Sequence, residues 1–136
     1  MLIFPMLRKA LSARAVIPVL MCMQVVPLLV FPASSYLPTS QEWWLPVVLS
    51  ALVVVSLVQL LVRRSLAPWP WYILSFAQGL NIISRLMMLM PHAMVNVKGN
   101  MSFNSGYVVI TICACLFSAF EIWYCDLPEV RNRMFA

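Results

Sequence analysis

Residues 43–64 read WWLPVVLSALVVVSLVQLLVRR. Between Trp43 and Val62 only Ser50, Ser56 and Gln59 are polar. The hydrocarbon core of a bilayer is about 30 Å thick, which a helix crosses in roughly 20 residues. Within that core every backbone amide must find its partner inside the protein, so only helices and closed barrels can cross. The run is continuous rather than alternating, which selects the helix. A tryptophan pair opens the segment and an arginine pair closes it, as interfacial aromatics and inside-facing cations do.

Working outward, three further runs share this character: about 15–32, about 69–91 and about 106–125. The reading is an all-α polytopic membrane protein, a small bundle of four transmembrane helices. Pro18, Pro27 and Pro32 predict that the first span is bent. Pro91 is read as the end of the third. Ala33–Glu42 is a polar connection, Arg63–Pro68 a basic one, and His92–Ser105 an Asn-rich loop with Gly99 at its turn. Residues 1–14 carry Arg8, Lys9 and Arg14 beside Leu2, Ile3, Phe4, Leu7 and Leu11. A signal sequence or presequence competes for this segment with an uncleaved amphipathic helix on the membrane surface. We read it as the surface anchor. Residues 126–136 form a short tail.

Composition agrees. Of 136 residues, 63% are hydrophobic and 10% charged, where a soluble domain carries about a quarter charged. The net charge of +5 is dispersed beside apolar runs, which argues for topology signals and anionic lipid rather than nucleic acid. Under the four-span reading Arg8, Lys9, Arg14, Arg63, Arg64, Arg131 and Arg133 share one side and Lys98 takes the other. The positive-inside rule then places both termini inside. Trp43, Trp44, Trp69, Trp71, Trp123 and Tyr124 fall at span ends and read as interfacial anchors. Cys22, Cys113, Cys115 and Cys125 form no CxxC pair and read as packed thiols.

Polar groups inside the spans carry the functional clues, because lipid tolerates them badly. Gln78, Asn81 and Arg85 recur at i, i+3 and i+7, one face of the third helix, and His92 follows two turns on. This is a candidate face for helix packing, a partner or a ligand. Its partners are sought in Ser50, Ser56, Gln24 or a neighbouring subunit, and Glu42 is the acid at the depth of Arg85. Arg85 and Glu121 differ in depth by roughly 17 Å on a helical rise, too far to pair. Glu121 is instead assigned to an inside-face charge cluster with Arg63 and Arg64. His92 is the only histidine, so a bis-His haem within the chain is excluded.

The residues form no catalytic constellation or metal cluster, and the chain is not expected to be an enzyme or to hold a cofactor by itself. The leading reading is a small accessory subunit of a larger membrane complex, of the energy-converting electron-transfer kind, in a bacterial plasma membrane or mitochondrial inner membrane. Its partners would be other membrane subunits and lipids, anionic on the inside face. Two alternatives are a small oligomeric transporter or channel using Arg85 or Glu121, and a quinone- or lipid-binding protein using the Gln78–Arg85 face.

Overall fold

The computed structural model describes residues 2–30 and 43–135. The Ala33–Glu42 connection, and with it Glu42, lies outside the described residues. Helix α1 is Ile3–Leu11 and α2 is Val16–Leu29, with an 80° bend between them. α3 is Trp44–Val62, α4 is Trp69–Ala93 and α5 is Ser105–Asp126. Strands β1 (Met94–Val97) and β2 (Asn100–Phe103) join α4 to α5 as an antiparallel hairpin. A short helix α6, Pro128–Phe135, follows α5.

The helices α3, α4 and α5 are each long and apolar enough to cross a bilayer, and we describe the chain as an integral membrane protein. α2 differs from the expected first span. It is helical over Val16–Cys22, tightens to a 3-10 turn over Met23–Val25 and resumes over Val26–Leu29. Pro27 has no N–H to donate toward Met23, and its ring crowds the preceding turn, so the regular helix is interrupted there. At about 1.5 Å per residue α2 is roughly 20 Å long, short of the hydrocarbon thickness. Only together with α1, across the bend, does it reach spanning length.

The bend is fixed from the other end of the chain. Tyr124 Oη on α5 donates to the Leu11 carbonyl at 2.9 Å. Arg133 Nη1 on α6 donates to the Ser12 carbonyl at 2.8 Å. Both acceptors sit where α1 ends and its last carbonyls lose their helical partners. Tyr124 is 0% exposed and Trp71 only 4%, so these two are core residues and not interfacial anchors. Arg131 explains Trp71: its guanidinium lies 5.3 Å from the Trp71 ring centroid and donates to the Cys125 carbonyl at 2.9 Å. Trp43, Trp44, Trp69 and Trp123 remain exposed.

The 92–105 region contains the hairpin, which departs from a purely helical chain. Lys98 and Gly99 both have positive φ, 52° and 87°, the pair of left-handed residues that a tight two-residue hairpin turn requires. The register sets Met94 opposite Phe103 and Asn96 opposite Met101. Pro91 does not end α4, because its missing N–H and ring disturb only the turn before it; the helix runs two residues further. Asn104 then starts α5 by accepting from the Tyr107 amide at 3.2 Å, the usual N-cap contact.

Candidate functional site

The polar stripe of α4 faces the interior of the chain. Gln78 and Asn81 are each 1% exposed and Arg85 2%. Gln78 Nε2 donates to the Gln24 carbonyl at 2.8 Å. Asn81 Nδ2 donates to Ser118 Oγ on α5 at 2.9 Å and to the Pro27 carbonyl at 3.4 Å. Asn81 Oδ1 accepts from Arg85 Nε at 3.1 Å. Arg85 Nη2 donates to the Pro27 carbonyl at 2.6 Å and to that of Val30 at 2.5 Å. These carbonyls belong to the last turn of α2, where no further amide is available to bond them. The guanidinium thus caps the end of α2, where the helix dipole also favours a cation.

The sequence reading sought partners among side chains and a neighbouring subunit, whereas the structure supplies backbone carbonyls of the same chain. Of the three side chains considered, Ser56 Oγ is bonded to the carbonyl of Leu52 in its own helix at 2.9 Å. The Ser50 hydroxyl has no partner. Gln24 contributes through its carbonyl. Ser118 was missed, although it lies one turn from Glu121 on the same face of α5.

A second polar layer lies one turn nearer the basic end of the bundle. α4 and α5 run antiparallel, and Asn81 meets Ser118. Three residues toward the basic end on each helix, Gln78 comes opposite Glu121. Gln24 completes the layer from α2: its carbonyl takes the Gln78 amide, and its own Nε2 donates to Cys125 Sγ at 2.9 Å. Glu121 and Gln24 are each 0% exposed. Both carboxyl oxygens of Glu121 and the Oε1 atoms of Gln24 and Gln78 have no hydrogen-bond partner. The layer therefore offers four oxygen acceptors and is short of donors. A buried acceptor without a donor costs about 1–3 kcal/mol.

Glu121 does not join Arg63 and Arg64, which corrects the proposed charge cluster. Its face of α5 turns toward α2 and α4, while both arginines lie exposed beyond the end of α3. Nor does Glu121 meet Arg85, since its oxygens accept no hydrogen bond and the Asn81–Ser118 layer lies between. His92 is also apart from the stripe. It stacks on Tyr107 with centroids 5.3 Å apart, and its Nδ1 lies 3.0 Å from the Met88 carbonyl. It braces the base of the hairpin. No known family, characterised protein or solved structure matches the chain.

Two substitutions test these layers. Arg85→Leu strips the end of α2 of its cap. At about 1 kcal/mol per hydrogen bond in a membrane, the chain should lose about 3 kcal/mol, read as a lower melting temperature of the purified chain. Arg85→Lys should recover part of it, because an ammonium still reaches carbonyls. Glu121→Gln brings N–H donors into the acceptor-only layer and should raise stability by about 1 kcal/mol. A fall in melting temperature would show that the carboxyl has a partner of its own.

Proposed function

We propose that the chain crosses its membrane four times, with α1 lying on the surface of the basic side, the first crossing beginning at α2, and both termini on the basic side. We propose further that it is a small accessory subunit of a larger membrane complex. Energy-converting electron-transfer complexes of bacterial plasma membranes or mitochondrial inner membranes are the class to which we assign it. Such assemblies recruit small helical subunits that do no chemistry themselves.

The observation that supports this reading is a run of exposed apolar side chains that continues from α4 into the hairpin. α4 has 25 residues and is about 37 Å long, several residues more than the hydrocarbon needs. Its exposed Ile83, Met87 and Met90 lie along one side and lead into the hairpin. There Met94, Met101 and Phe103 remain exposed, with Met101 at 74% and Met90 at 83%. Strand alternation and register put Met94, Met101 and Phe103 on one face of the hairpin. Lipid tails solvate apolar residues within the hydrocarbon, and this surface continues past them. Methionine-rich surfaces adapt to a protein partner, so the occupant we assign is another membrane subunit.

A second reading, a small oligomeric transporter or channel, is favoured by one observation: the acceptor-only layer around Glu121, in a helix that spans the membrane. Assembly that survives Glu121→Gln while an ion flux is lost would promote it.

The topology has a direct test. Reporters fused at Ser102 and at the C-terminus should appear on opposite sides of the membrane. The partner reading is tested by purification from native membranes. Met90→Lys with Met101→Lys should abolish co-purification with other subunits and leave insertion and melting temperature unchanged. A chain that runs alone, or only with copies of itself, contradicts the accessory-subunit reading.

A further inference from the structure

Three elements meet at the basic end of the bundle around a cavity of about 230 Å³. The α1–α2 bend contributes Arg14 and Ile17, the end of α3 contributes Leu60 and Arg64, and α6 contributes Arg133 and Met134. Three arginines thus line one small cavity together with apolar residues, and among the described residues no acid lines it. Arg131 on α6 pairs with Asp126 at 3.2 Å, outside the cavity. Like charges around one cavity repel one another, and an anion placed among them is attracted to each.

The backbone holds two of the three arginines in place. Arg133 is fixed by its bond to the Ser12 carbonyl. Arg64 follows the π turn that ends α3, Val58–Val62, with φ of +46°. The Ser65 amide closes back onto the Gln59 carbonyl at 3.0 Å. That left-handed position at a helix end is where glycine enters without steric cost. The chain carries an arginine there instead, at the mouth of a cavity already lined by two others.

We propose that this cavity is a binding site for the phosphate headgroup of an anionic phospholipid. A guanidinium fork matches phosphate oxygens in pairs. The apolar residues between the arginines suit the glycerol and upper acyl chain of a lipid, which a free phosphate lacks. The depth also fits a lipid. α1, next to the cavity, exposes Leu2, Ile3, Phe4, Met6 and Leu7, which seats this end of the bundle at the level of the headgroups. The inference rests on the chain being a membrane protein and is independent of any partner subunit.

The test uses the full chain purified in a neutral detergent, with melting followed as lipid is added. Phosphatidylglycerol should raise the melting temperature saturably, while phosphatidylcholine and sodium phosphate at equal concentration should not. Arg64→Gly is the decisive variant. Glycine suits the left-handed backbone, so melting without lipid should be unchanged or higher, while apparent affinity for phosphatidylglycerol falls about tenfold or more for the lost charge-assisted bonds. Arg14→Gln should act likewise. Arg8→Gln with Lys9→Gln, basic residues outside the cavity, should leave the lipid response in place. An equal response to phosphatidylcholine would overturn the proposal, as would wild-type affinity in both Arg64→Gly and Arg14→Gln. A shift produced by sodium phosphate alone would reassign the cavity to a soluble anion.

Discussion

The carbonyls at the end of α2 set the terms for the rest of the bundle. A helix that stops inside or near a bilayer leaves its final carbonyls without amide partners and without water to replace them. α2 stops early, interrupted by the turn at Pro27. Arg85 reaches those carbonyls from α4, and Asn81 orients it by accepting from its Nε. Asn81 is in turn fixed to α5 through Ser118. One capping problem thereby fastens three helices together at a single depth. The end of α1 is handled in the same way, with Tyr124 and Arg133 in place of Arg85.

The two polar layers play different parts in the bundle. The Asn81–Arg85–Ser118 layer matches donors to acceptors, and sliding α4 by one turn would break its bonds to Ser118 on α5 and to the carbonyls of α2. Apolar side chains alone would forgive such a slip, because lipid and leucine are nearly equivalent surroundings. The Glu121 layer, one turn away, leaves four oxygens without a donor. Natural bundles can give up stability at positions that serve another purpose, which makes this layer the place where the second reading above is tested.

Much of this was legible in the sequence. Apolar runs of bilayer length located α3, α4 and α5 to within about two residues. The i, i+3, i+7 spacing of Gln78, Asn81 and Arg85 put them on one buried face. The partners of Gln78 and Arg85 were not legible because most of them are backbone atoms. Counting side chains could not show that the first span would end at Leu29 and leave the carbonyls of Pro27 and Val30 to Arg85. Trp71 and Tyr124 were misplaced for a related reason, since an aromatic near a span end reads as interfacial until the donor above it or the carbonyl beneath it is known. The hairpin carried a signal in Lys98-Gly99 flanked by short alternating segments, weakened by the neighbouring asparagines that also suit a loop. The Glu121 assignment failed because depth alone was considered, and not the direction in which the side chain leaves α5.

The 80° turn between α1 and α2 has a consequence for the membrane itself. If α2 enters the bilayer along its normal, as proposed, the turn lays α1 near the membrane plane, where it displaces lipid from one leaflet only. Its nine residues make a cylinder about 14 Å long and about 10 Å across, set among headgroups with no counterpart in the opposite monolayer. In that orientation each copy would widen one leaflet relative to the other, as a shallow wedge does, and copies gathered together would bow the bilayer toward the side that carries α1.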